Sequence, residues 1–263
     1  MSLQLDERQR AMLAEMGIRV FEPLRTAEAA RPPAAPERAV PVCAPAGPPR
    51  GAEVAAPAPN RSAITAPESR TGAVGVELMA WDDLAQAAGT CRACKLCAGR
   101  HNAVFGMGDT QADWLIVGEP PGEQEDLQGE PFAGPPGKLL DNMLRAVGLD
   151  RDRNVYVTNA LKCRPPGNRN PQPEEVAQCE AFLRRQVQLL QPRIILAMGR
   201  FAVQALLGST EPMGKLRGRA HQYQGVPVVV TYHPAYLLRN LPEKAKAWAD
   251  LCLALELSRA PAA

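Results

Sequence analysis

Five cysteines occupy two stretches of this chain: Cys91, Cys94 and Cys97 form an overlapping C-x2-C-x2-C run, and Cys163 and Cys179 stand far downstream with fifteen residues between them. Thiolates ligate zinc and iron–sulfur clusters, so a CxxC joined by a second cysteine pair points to a four-thiolate site suited to zinc or to a [4Fe–4S] cluster. Spacing alone does not separate the two, and five candidates compete for four positions. Two further cysteines, Cys43 in an Ala/Pro-rich stretch and Cys252 on the apolar side of a C-terminal helix, are not expected to bind metal. A second set of residues invites acid–base and recognition chemistry. It comprises Glu119, Glu125 and Asp126 in a Gly/Pro-flanked stretch, Asn159, and His233, one of only three histidines.

The elements that must position these residues begin at Trp81, where short apolar runs alternate with amphipathic helical stretches, the pattern of repeated strand–helix units. Strands are expected at 114–118, 155–159, 194–198 and 226–232, all rich in Val and Ile, with helices at about 136–147, 173–190, 200–207 and 243–257. Because each crossover carries a helix, the strands should be parallel and buried on both faces. The expected fold is a three-layer α/β/α domain around a central four-stranded, mainly parallel sheet. Ligands of open α/β sheets bind outside the carboxyl ends of the strands. The segments leaving those ends, 118–122, 159–163, 199–200 and 233–236, bring Glu119, Asn159, Cys163 and His233 to one edge whatever the strand order.

A hydrophobic content of 46% is ample for a buried core. No apolar run approaches the roughly 20 residues a bilayer needs, and the start lacks a basic region followed by an apolar one. A cytoplasmic protein without membrane contact is expected, in a compartment where thiols stay reduced and cysteines serve as ligands more than as disulfides. The net charge of +2 is too small to betray a nucleic-acid partner. Between residues 31 and 60, eighteen of thirty are Ala or Pro. Such a stretch buries too little to offset the entropy lost on ordering. Residues 1–77 are therefore expected to be a short helix over 6–16, a frayed end or a docking peptide, followed by a flexible linker over about 27–75. The folded domain is 78–263.

Four segments, taken together, resemble the family 4 uracil-DNA glycosylases in order and spacing: Gly118-Glu119-Pro120-Pro121-Gly122-Glu123-Gln124-Glu125-Asp126, Gly129-Glu130-Pro131-Phe132-Ala133-Gly134, Val157-Thr158-Asn159-Ala160-Leu161-Lys162-Cys163-Arg164-Pro165-Pro166 and His233-Pro234-Ala235-Tyr236-Leu237-Leu238-Arg239. The likeness extends over about 90–255 and includes Cys91-Arg92-Ala93-Cys94-Lys95-Leu96, Arg100 and Val104-Phe105-Gly106. It implies a uracil-DNA glycosylase-like fold, a DNA-repair hydrolase that releases uracil and leaves an abasic site, and a [4Fe–4S] cluster on Cys91, Cys94, Cys163 and Cys179. Cys97 falls where the family requires none.

A glycosylase must hold an extruded base, read its edge, stabilise the departing anion and cationic sugar, and supply water. Phe132 is placed to stack on the base. Asn159 can accept from uracil N3–H and donate to O4, a pairing that cytosine reverses. His233 would donate to O2, where negative charge gathers. Of the acidic residues, the resemblance favours Glu119 for the water and Glu125 as a guard at C5 against thymine. Leu237, Leu238 and Arg239 resemble a segment that enters the minor groove. Arg217, with Lys215 and Arg219, forms a basic loop that tracks phosphate or simply faces solvent.

Two departures stand out. Pro120 removes a backbone donor where the family usually has Ala or Gly, and Ala235 replaces a common serine hydroxyl, so weaker DNA binding is expected. Three rivals remain: a relative that traps uracil covalently through a histidine in a basic insertion, which this chain lacks; a same-fold glycosylase for other deaminated bases; and a non-catalytic iron–sulfur or zinc DNA-binding module. A monomer is expected, since one base needs one pocket.

Overall fold

The computed structural model describes residues 75–259, with Glu15 alone ahead of them. Apart from Glu15, the expected helix over 6–16, the linker up to residue 74 and Cys43 lie outside the described residues. In chain order the elements are α1 (Trp81–Thr90), β1 (Met107–Gly108), β2 (Trp114–Gly118), α2 (Glu123–Gln128), α3 (Pro135–Ala146), β3 (Val155–Asn159), α4 (Pro173–Leu190), β4 (Ile194–Met198), α5 (Arg200–Leu207), α6 (Met213–Leu216), β5 (Ala220–Tyr223), β6 (Val226–Thr231), α7 (Pro234–Arg239) and α8 (Lys244–Arg259), with short 3-10 turns between.

The sheet has six strands in the order β1-β3-β2-β4-β6-β5, two more than the four expected. The four expected strands form its parallel centre, and β1 and β5 add antiparallel edges. Both edges escape a search for apolar runs. β1 is two residues long, and β5 reads Ala-His-Gln-Tyr with alternating exposed and half-buried positions. β5 joins β6 through Gln224 and Gly225, both at positive φ (50° and 81°), a turn whose twist suits a hairpin.

All residues of β2, β3 and β4 are buried, and successive side chains serve opposite faces. Trp114, Ile116, Val157, Leu196 and Met198 pack on one side with Leu140, Met143 and Leu144 of α3 and Trp248 and Leu251 of α8. Leu115, Val117, Tyr156, Ile195 and Ala197 pack on the other with Leu183 and Val187 of α4 and Val203 and Leu206 of α5. The result is the three-layer α/β/α arrangement. α1 closes against α4 through Leu84, Ala88 and Phe182, with Val76, two residues ahead of the expected boundary at 78, in the same cluster. Pro173 opens α4 at a position whose N–H would be unbonded anyway. Glu175 there accepts from Gln172 N (2.8 Å) and from the Arg169 guanidinium (2.9 Å), fixing the loop that leads in from Cys163. Among the described residues no helix is long and apolar enough to cross a membrane.

Candidate active site and cysteine centre

β2 and β3 run in parallel with Gly118 opposite Asn159, so the two central strands end at the same level. Around those ends lies a cleft of about 910 Å³, whose walls include Glu119, Pro120, Glu125, Phe132, Arg200 and His233. Gly118 is required by close approach. A Cβ there would lie 2.6 Å from the Phe132 ring and 2.7 Å from Asn159 Oδ1. The Phe132 backbone sits at φ 53°, a left-handed conformation costly for an aromatic residue, and its ring stacks on the His233 imidazole with centroids 5.0 Å apart and planes 20° apart.

Asn159 does not line the open cleft. It is buried behind it, 1% exposed, with Nδ2 donating to Glu125 Oε1 at 3.1 Å. A carboxylate only accepts, so this bond fixes the amide with nitrogen toward Glu125. Asn159 Oδ1 has no partner despite burial, an acceptor held ready for a donor that comes from outside the chain. Glu125 is itself held, accepting from Phe132 N (2.6 Å, Oε1) and Gly122 N (2.6 Å, Oε2), the latter at the N-terminus of α2. One carboxylate thus ties the Gly122 turn, the Phe132 backbone and the Asn159 amide together.

His233 caps α7. Its Nδ1 accepts from Ala235 N at 3.2 Å, which leaves the ring proton on Nε2. Burial, and then the charge of Arg239, push its pKa down to about 4, so the imidazole is neutral at pH 7. Glu119 Oε1 accepts from Arg200 N (3.0 Å) at the start of α5, over Gly199, where a Cβ would lie 2.6 Å from that oxygen. Burial raises the Glu119 pKa, opposed by the backbone donors of Arg200 and Phe201 and by the charges of Arg200 and Arg239. Asp126 turns away to accept from the backbone of His101 (3.0 Å) and from its ring (2.8 Å).

Two of the residues expected at DNA are placed elsewhere. Leu237 is fully buried in the core and not at the surface where a wedge would meet DNA, whereas Leu238, 41% exposed, stands at the surface. Arg217 is mostly buried, donates to the buried Asp250 (2.7 Å) and lies over the Tyr232 ring (4.6 Å), so its charge is neutralised inside the domain and does not face phosphate. Arg239 does line the cleft.

On the far side of β3, Cys91, Cys94, Cys97, Cys163 and Cys179 line one small cavity with Arg100 and Lys162. Three segments distant in sequence deliver five thiols, including Cys97. Two sulfurs already receive N–H donors, Cys163 from Arg100 (2.9 Å) and Cys179 from the Lys162 backbone (3.3 Å). Burial raises the thiol pKa values of Cys94 and Cys163 and pushes Cys179 up to about 12, so thiolates need a cationic partner here. The donor set, all sulfur with N–H groups aimed at sulfur, fits iron–sulfur chemistry. Among the described residues no three His, Cys, Asp or Glu side chains are grouped to hold a single metal ion. The wholly buried Lys162 ammonium donates to Thr158 Oγ1 (2.6 Å), Gln186 Oε1 (2.7 Å) and Asn159 O (3.0 Å), joining this cavity to the strand end that carries Asn159.

Sequence reading missed the Glu125–Asn159 bond, the anchoring of Glu119 on α5 and the role of Lys162. Only the Gly-Arg pair at 199–200, at a strand end, gave a signal for the second.

The family model for the uracil DNA glycosylase superfamily matches residues 105–252. The type-4 uracil-DNA glycosylase of Archaeoglobus fulgidus is 42% identical over 165 residues, covering 60% of this chain and 82% of that relative. Type-4 uracil-DNA glycosylases of Thermotoga maritima (43% over 152 residues; 57% and 79% covered) and Saccharolobus solfataricus (41% over 161; 58% and 74%) match similarly.

Proposed function

From the premise that the chain belongs to the uracil DNA glycosylase superfamily, alongside its type-4 members, we propose that it hydrolyses the N-glycosidic bond of uracil in DNA, leaving an abasic site. The observation that carries this reading is the Asn159 amide, oriented by Glu125 with a buried, unpartnered Oδ1. Uracil N3–H would donate to that oxygen and O4 would accept the second Nδ2 hydrogen. Cytosine has no hydrogen on N3, so it would bury two acceptors face to face, a mismatch that discriminates strongly.

Phe132 would stack on the base, and entry of the ring requires the Phe132–His233 contact to part. As the C1′–N1 bond breaks, its electron pair leaves with the base and charge gathers at O2, where the neutral Nε2–H of His233 donates. A preorganised donor of this kind contributes roughly 3 kcal/mol. Glu119, with one oxygen fixed by Arg200 N, would offer the other to water. The water oxygen bonds to C1′ and its proton passes to the carboxylate. Glu125 acts as a positioning residue through Asn159 and Phe132.

Cys91, Cys94, Cys163 and Cys179 would hold a [4Fe–4S] cluster, supported by family membership and by the shared cavity. When bound, the cluster supplies cross-linking of the segment before β1 to the loop and helix after β3. Arg239 and Leu238 are the groups proposed to meet DNA, and the enzyme is proposed to be a cytoplasmic monomer.

The test is cleavage of a labelled oligonucleotide carrying one uracil, developed with alkali. Strand scission that falls at least a hundredfold in both Asn159→Asp and His233→Ala supports the reading. An intact strand with protein bound to it supports the non-catalytic module instead.

A further inference from the structure

The cleft continues past Phe132 and His233 over an aromatic surface that the excision chemistry leaves unused. Phe201, Tyr232 and Tyr236 line it, with Arg200 and Arg239 beside them. Tyr236 is 37% exposed, one of the few large apolar side chains at the surface among the described residues. Its ring lies 5.0 Å from that of Tyr232, with planes 32° apart. Tyr232 in turn is clamped, because the Arg217 guanidinium sits 4.6 Å from its ring centroid and is itself bound to the buried Asp250 at 2.7 Å. A wet aromatic ring backed by a clamped one is a rigid flat surface, and Tyr loses little rotamer entropy when it takes up a contact.

We propose that Tyr236, backed by Tyr232, is a stacking platform for the nucleobase adjacent to the extruded uracil, so that the cleft grips two consecutive bases of a locally single-stranded segment. The proposal rests on the uracil-excision reading above. Three observations support it. Tyr236 lies on α7, the short helix that His233 caps, so platform and imidazole keep a fixed relation. Arg200 and Arg239 give the same wall the positive charge that a sugar–phosphate backbone needs. Leu238, exposed on the same helix, is not among the residues lining the cleft, which separates any wedge into the duplex from the surface facing the substrate strand. Stacking is indifferent to sequence because every base has a flat face, so the platform would serve any neighbour of uracil.

The experiment measures half-saturating substrate concentration in single-turnover excision. The single-stranded oligonucleotides carry, on the 5′ or the 3′ side of uracil, either thymidine or an abasic spacer. Wild type, Tyr236→Ala and Tyr236→Phe are compared. On one side only, the spacer should raise the wild-type value roughly tenfold. Tyr236→Ala should cost about as much with thymidine there and several-fold less with the spacer, and Tyr236→Phe should behave as wild type. An equal Tyr236→Ala penalty on spacer and thymidine substrates, on both sides, overturns the platform while leaving uracil excision standing. Absence of excision by the wild type on every substrate overturns both.

Discussion

Removing the Glu125 carboxylate should cost base recognition more than it costs the fold. In Glu125→Gln one oxygen becomes an NH2 group and must face an N–H donor. With the carbonyl kept at the Oε1 position, the bonds from Phe132 N (2.6 Å) and Asn159 Nδ2 (3.1 Å) survive without their charge, and only Gly122 N loses its partner. With the carbonyl on the other side two bonds are lost, so the first arrangement wins. A hydrogen bond to a charged group contributes roughly 1.5–3 kcal/mol, or about tenfold to just over a hundredfold in an equilibrium or rate. Glu125→Gln should therefore slow single-turnover uracil excision by about tenfold. Glu125→Ala, which frees both Phe132 N and the Asn159 amide, should slow it by about a hundredfold or more. Glu125→Ala should also narrow the ratio of uracil to cytosine excision, since a freed amide can turn over and present nitrogen to the base. The assay is alkali-developed cleavage of matched uracil and cytosine oligonucleotides, with thermal melting to verify the fold. A Glu125→Ala enzyme within a factor of about two of wild type, with unchanged selectivity, would refute the reasoning.

Gly118→Ala places a methyl 2.6 Å from the Phe132 ring and 2.7 Å from Asn159 Oδ1, so excision should drop by about two orders of magnitude while circular dichroism stays native. The folded pKa of His233, about 4, lies below its unfolded value of 6.5. The unfolded state thus binds more protons between those values, and the His233 contribution is full above 6.5 and lost as pH falls toward 4. At about 1.4 kcal/mol per unit this amounts to roughly 3 kcal/mol. His233→Gln should flatten that part of the melting-temperature profile, and an unchanged slope would contradict the neutral imidazole. Serine at any of Cys91, Cys94, Cys163 or Cys179 should abolish the brown absorbance and bound iron of the purified protein, while Cys97→Ala keeps both.

The parallel centre of the sheet was legible because buried strands read as apolar runs. The expected bounds of β2, β3 and β4, and of α4 and α5, coincide with those observed. The edges were not, since β1 and β5 are held by pairing to neighbours and not by their own composition. Glu119 and His233 were singled out by type and by position at strand ends, whereas Phe132 and Glu125, which lie away from those ends, were singled out through the family resemblance. Which face a residue takes was harder. Leu237 and Leu238 are consecutive, and on a helix they point about 100° apart, so only packing decides which meets the core. Arg217 reads as a loop cation until Asp250, 33 positions away, is brought to it. The Glu125–Asn159 bond spans 34 positions and depends on the same kind of tertiary proximity.

The central claim, that an oriented Asn159 amide selects uracil for excision, is tested most directly by identifying the free base released from oligonucleotides carrying uracil, cytosine or thymine. Wild type should release uracil alone, and Asn159→Asp should lose at least a hundredfold in uracil release while folding normally. Release of cytosine or thymine at a comparable rate by the wild type, or uracil release untouched by Asn159→Asp, would contradict the account.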